Sequence, residues 1–151
     1  MMASYKKFLT MVCTSTLIMF AFMYLNTYEL DHVYFSQTRM YMALMMGATM
    51  AVVMLSFMKG MYKNARKNMA IYAGSALIFV ISLLLVRSQA TVDDVSWMKA
   101  MIPHHSIAIL TSEHAHISDP RVRKLADGII ETQKKEIAEM KTLIEDLKSQ
   151  D

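Results

Sequence analysis

The residues best equipped for chemistry lie between Asp94 and His105, a stretch reading Asp-Val-Ser-Trp-Met-Lys-Ala-Met-Ile-Pro-His-His. Met98, Met101, His104 and His105 put two thioethers and two imidazoles within eight residues. On a helix advancing about 100° per residue, Asp94, Met98, Met101 and His105 fall within roughly 60° of one another. His104 points elsewhere, and Pro103, which removes a backbone donor, could kink the helix and swing His104 toward the same face. Thioether sulfur suits Cu(I), and imidazole suits copper, zinc or nickel, so a mixed Met/His face favours copper, Cu(I) above all. The competing reading makes Met98 and Met101 ordinary core residues beside two surface histidines.

The elements that would position this stretch follow from an uneven charge distribution. Residues 1–90 carry eight Lys/Arg and two Asp/Glu, whereas residues 91–151 carry eight Lys/Arg and eleven Asp/Glu. The pI near 9.0 thus averages two unlike halves. No basic stripe with interleaved aromatics is present, so nucleic acid is not an expected partner. The single cysteine, Cys13, allows neither an intrachain disulfide nor a cysteine zinc site.

Three apolar runs precede the Met/His stretch: Phe8 to Leu25, Met40 to Met58 and Met69 to Val86. Each approaches the ~20 residues that cross a hydrocarbon core, so the lipid bilayer is the expected partner of residues 1–87, read as a three-helix transmembrane domain. Lys6-Lys7 before the first run also resembles the start of a signal peptide, but no small-x-small cleavage site follows. In the second run Met42, Met46, Met50, Met54 and Met58 recur every four residues. That row could be a thioether path for Cu(I); the reading adopted is a flexible packing face. Lys6, Lys7, Lys59, Lys63, Arg66 and Lys67 mark the cytoplasmic side, leaving residues 88–151 on the opposite side, the periplasm in a bacterium. The expected location is the inner membrane, N-terminus inside. All five histidines (His32, His104, His105, His114 and His116) then share the outer compartment.

After a linker at 88–92, residues 93–151 read as a helical hairpin. Asp93 or Asp94 caps a helix from Val95 to about His116, and Ser118-Asp119-Pro120 starts another that runs to about Lys148. Ile130, Gln133, Ile137, Met140, Ile144 and Leu147 make a coiled-coil-like seam on it. No period-2 alternation occurs, so the fold expected is all-α. Two helices of about 60 residues bury little core, which points to a homodimer that completes a four-helix bundle.

Residues 94–145 resemble the bacterial family known as domain of unknown function 305. The resemblance rests on Asp94, Trp97-Met98, Met101-Ile102, His104-His105 and Ala108-Ile109, followed by Leu125-Ala126, Ile129-Ile130, Gln133, Glu136-Ile137 and Met140. It implies a ferritin-like bundle, copper bound through Met and His, and Met98, Met101, His104 and His105 as ligands, with Met140 and Gln133 opposite. The chain departs from the family pattern at Ser106, which follows the two histidines where glutamine is usual, and at Thr111, where methionine is expected. His114 and His116 could substitute for that methionine or form a second site.

The function these readings favour is a membrane-anchored protein that buffers, sequesters or passes copper, with a copper-handling protein as a possible partner. Two other classes stay open. Glu113-x-x-His116, with Glu131 or Glu136, could build a di-iron carboxylate oxidoreductase in a dimer. Alternatively, the hairpin could be a partner-binding assembly module without metal.

Overall fold

A computed structural model describes residues 5–149; the outermost residues of the two expected domains, 1–4 and 150–151, lie outside the described residues. The chain forms α1 (Tyr5–Phe22), α2 (Gln37–Phe57), α3 (Ala65–Ser88), α4 (Asp94–His114) and α5 (Pro120–Ser149), with a single 3-10 turn at Leu30–His32. No strand occurs among the described residues. The all-α expectation stands, and the helices fall into two compact units. One comprises residues through Met23 together with Thr38–Thr91; the other comprises Tyr24–Gln37 together with Val92–Asp151.

In the first unit, α2 packs through a row of small residues. Ala43, Gly47 and Ala51 recur every four positions and are buried with Ala48 and Leu55, whereas Met42 and Met46 on the methionine row are exposed. A Cβ on Gly47 would collide with the Thr16 hydroxyl of α1, so glycine there permits close helix approach. Phe8 and Val12 of α1 join Ala51, Leu55 and Tyr62 in one apolar cluster, with Met54 and Met58 against it. Of the methionine row, Met54 and Met58 pack against this cluster. Tyr5 donates to Asn68 Oδ1 (2.7 Å) and stacks edge-on with Tyr62, so the lysine-bearing end of α1 sits beside the basic 59–67 segment.

Among the described residues two helices, not three, are long and apolar enough to span a membrane: α2, and α3, of whose most apolar window only 11% is buried in the protein. A core helix of a water-soluble protein would be mostly buried; α3 instead exposes Leu77, Ile78, Val80, Ile81 and Leu84. The expectation of a third span in α1 is overturned for a clear reason. Its described part starts at Tyr5, so Lys6 and Lys7 lie within the helix, and it ends at Phe22 rather than Leu25. The uncharged stretch from Phe8 to Phe22 is interrupted by Thr10, Thr14, Ser15 and Thr16 and rises only about 22 Å at ~1.5 Å per residue, short of a ~30 Å core.

The second unit is built on α4 and α5. Asp93 caps α4 by accepting from the Ser96 backbone N–H at 2.7 Å, and Asp119 accepts from the Arg121 N–H at 2.8 Å where Pro120 opens α5. Met98, Ile102 and Ile109 of α4 meet Ile137, Met140 and Ile144 of α5 in the core. The cover expected from a second copy is supplied in part by this chain's own segment 24–37, whose Tyr28 and Tyr34 pack on that core. The ferritin-like four-helix bundle is therefore replaced by a two-helix hairpin overlaid by a loop.

The Asp93 cap carries a pH dependence. The Ser96 N–H, and then its side chain, hold the Asp93 carboxyl below the usual carboxylate range. A depressed folded pKa gives stability that is present above the unfolded value of about 3.9 and lost as pH falls through the folded value. Asp93→Ala should therefore lower the unfolding midpoint at pH 7, and the gap to the parent should close in acid. Fluorescence of Trp97, the only tryptophan and a residue of α4, reads this unit selectively.

Candidate metal centre

The Met/His stretch folds as one face of α4, as the 100° rule requires. Met98 is buried, Met101 is half-buried against the same cluster, and Met140 of α5 is buried in it, so three of the candidate thioethers share one core. His105 is held at both ring nitrogens: Nδ1 lies 3.0 Å from the Met101 carbonyl and Nε2 lies 2.9 Å from Glu136 Oε2. A carbonyl and a carboxylate oxygen both accept, so each ring nitrogen faces an acceptor, and Nε2 is the nitrogen turned toward α5. Gln133 donates to the same Glu136 oxygen at 3.3 Å. Orienting a histidine through a backbone carbonyl is the usual support of a ligating imidazole.

The remaining candidates are not brought to this point. Pro103 is fully buried and α4 continues through it, while His104 stays exposed, its ring 6.3 Å from that of His105, centre to centre. His114 ends α4 and is exposed; His116 lies past the Ala115 cap, also exposed. Glu113 hydrogen-bonds the Tyr28 hydroxyl, which raises the Tyr28 pKa. Glu113 and His116 therefore do not form an i,i+3 pair on a helix.

A second constellation lies in the loop. Glu29, Asp31 and His32 offer three ligand atoms within 4.8 Å of one another, so they could hold a metal ion. The 3-10 turn produces this directly, because residues three apart eclipse and Glu29 stands over His32. His32 is 6% exposed, and Nδ1 lies 3.0 Å from Oγ of Ser106, itself fully buried. Ser106 Oγ also accepts the Tyr28 backbone N–H at 2.6 Å. Lys141 of α5 bonds the Asp31 carboxylate and thereby lowers its pKa. Burial, and then the Lys141 charge, lower the His32 pKa and favour the neutral imidazole. Sequence reasoning singled out only His32 among these residues, as one of the five histidines of the outer compartment. The available signal was Glu-x-Asp-His combined with Ser106, the departure from the family pattern.

These features define an apolar helical unit joined to a helical hairpin unit that bears metal-ligand side chains. Residues 85–151 match the family described as Domain of unknown function (DUF305). An uncharacterized protein of Acanthamoeba polyphaga mimivirus is 35% identical over 112 residues, covering 73% of this chain and 72% of that protein. The chain belongs to the DUF305 family, and the similarity to the viral protein extends beyond the domain into the segment before it. No solved structure matches.

Proposed function

We propose that this protein is a membrane-anchored copper-binding protein whose hairpin unit lies outside the cytoplasm, where it buffers, sequesters or passes on copper. The observation that carries this reading is the joint placement of Met98, Met101 and Met140 in one cluster beside a carbonyl-oriented His105. Soft thioethers with one imidazole suit Cu(I) and disfavour hard cations. Copper bound at Nε2 of His105 would replace its contact with Glu136. In the topology proposed, α2 and α3 cross the bilayer as a hairpin whose basic 59–67 connection stays in the cytoplasm. Such a hairpin delivers its two outer ends to one side, and the segments flanking it, 24–37 and 92–151, form a single compact unit.

The test is Cu(I) affinity of the detergent-solubilised full chain, by competition with a chromogenic chelator. Leucine replaces methionine at nearly constant volume, so each substitution changes packing by less than about 1.5 kcal/mol. Met98→Leu/Met101→Leu/Met140→Leu should therefore weaken Cu(I) at least a hundredfold (about 2.7 kcal/mol) while Trp97-monitored stability changes little. Unchanged Cu(I) affinity sinks the reading.

A second reading has its own observation. Val122, Leu125 and Ile129 expose an apolar row on the first half of α5, as a partner-binding module would. Its signature is partner capture that metal neither promotes nor blocks and that Leu125→Glu abolishes.

A further inference from the structure

We propose that Glu29, Asp31 and His32 form a second metal site, for a divalent cation of the zinc(II) type, which fastens the 24–37 loop to the hairpin. The proposal does not depend on the copper reading, because the two ligand sets share no residue. Nε2 of His32 lies 3.7 Å from Glu29 Oε2 and 3.7 Å from Asp31 Oδ1. Hydrogen bonds between such atoms run about 2.7–3.2 Å, so neither pair is one. Two ligands bound tetrahedrally at about 2.1 Å stand roughly 3.4 Å apart, close to the spacing observed. Nε2 of this buried imidazole has no hydrogen-bond partner among the described residues and faces the two carboxylates.

The surroundings match what a metal-binding histidine needs. Ser106 holds Nδ1 and fixes the ring. Lys141 holds Asp31 by Oδ2 and leaves Oδ1 turned to the imidazole, while its positive charge opposes a cation and sets an upper limit on affinity. The neutral imidazole favoured by burial is the form that coordinates. Glu29 and Asp31 are exposed, which leaves water to complete the shell. One imidazole with two carboxylates suits zinc(II) or a neighbouring divalent ion, and it lacks the soft sulfur that Cu(I) prefers. Its ligands precede residue 85, so the site is an addition to the DUF305 domain rather than part of it.

The experiment titrates Zn2+ into the full chain in detergent, with Co2+ as a spectroscopic probe. The background is Met98→Leu/Met101→Leu/Met140→Leu/His104→Ala/His114→Ala/His116→Ala, which removes the thioethers and the exposed histidines. One Zn2+ should bind at micromolar affinity or tighter, and Co2+ should show the intense visible bands of a four-coordinate ion. Glu29→Gln/Asp31→Asn keeps side-chain shape and should weaken Zn2+ at least about tenfold, as should His32→Ala. Hydrogen exchange across 26–36 should slow when Zn2+ binds. Absence of binding in this background, or affinity untouched by Glu29→Gln/Asp31→Asn, overturns the site. Cu(I) affinity of the wild-type chain is read in parallel, so loss of one site is distinguishable from loss of the other.

Discussion

Ile102→Ala is expected to destabilise the hairpin unit by about 3 kcal/mol and to lower its unfolding midpoint by roughly 15 °C. Ile102 has no exposed surface and lies in the cluster that joins Met98 to Met140, so its truncation leaves a cavity between α4 and α5. Deleting such a side chain from a well-packed core costs about 2–5 kcal/mol, the transfer free energy plus the cavity. The loss is large against the total, since a unit of this size is stabilised by only about 4–11 kcal/mol. Trp97 on the same helix reports the transition in the intact detergent-solubilised chain. Leu125→Ala is the matched control: Leu125 is 65% exposed, and its truncation should change stability by no more than about 0.5 kcal/mol. Equal effects of the two would mean that α4 and α5 do not pack through the Ile102 face.

That face was legible in the sequence, because it rests on local rules. The caps at Asp93 and Asp119 and the shared face of Met98, Met101 and His105 need only a 3.6-residue period and the chemistry of short side chains. The helix ends within two or three residues of where those rules put them. Met140 entered through the resemblance, and it does reach the same core. The loop was not legible, because its contacts span 74 to 110 residues: His32 to Ser106 and Asp31 to Lys141. No periodicity encodes such a pairing. Ser106 looked like a missing glutamine until its two loop partners were in view. The extent of α1 failed differently: the helix includes Lys6 and Lys7 and stops at Phe22, so apolar length in the sequence was not apolar length in the helix. The dimer expectation counted only the two helices of the hairpin, whereas Tyr28 and Tyr34 of the 24–37 segment also pack on their core.

Ser106→Ala should release that cover while sparing the hairpin. Ser106 is fully buried and is the one side chain that meets both the Tyr28 backbone N–H and His32 Nδ1. Alanine keeps the volume nearly constant and removes both partners. Each buried polar group left without a partner costs about 1–3 kcal/mol, more than the loop's other ties return. Besides the packing of Tyr28 and Tyr34 on the core, the polar ties include the Asp31–Lys141 ion pair, with the Asp31 carboxylate largely exposed, the Tyr28 hydroxyl to Glu113, and the Lys134 ammonium 5.5 Å from the Tyr28 ring centre. Contacts of that kind are worth about 1 kcal/mol or less. The loop therefore gains by undocking and hydrating its N–H and imidazole, and the cost to the unit is limited to the docking free energy, about 2 kcal/mol. The expected record is fast hydrogen exchange across 26–36, unchanged protection in α4 and α5, and Zn2+ affinity reduced about 10–100-fold through the lost orientation of His32. Cu(I) affinity should hold, because Met98, Met101, Met140 and His105 make no use of Ser106. Lys141→Met, which removes only the ion pair, should leave the loop protected. Exchange in Ser106→Ala identical to that of the parent would show that the loop is held by its tyrosines alone and that the serine is a bystander.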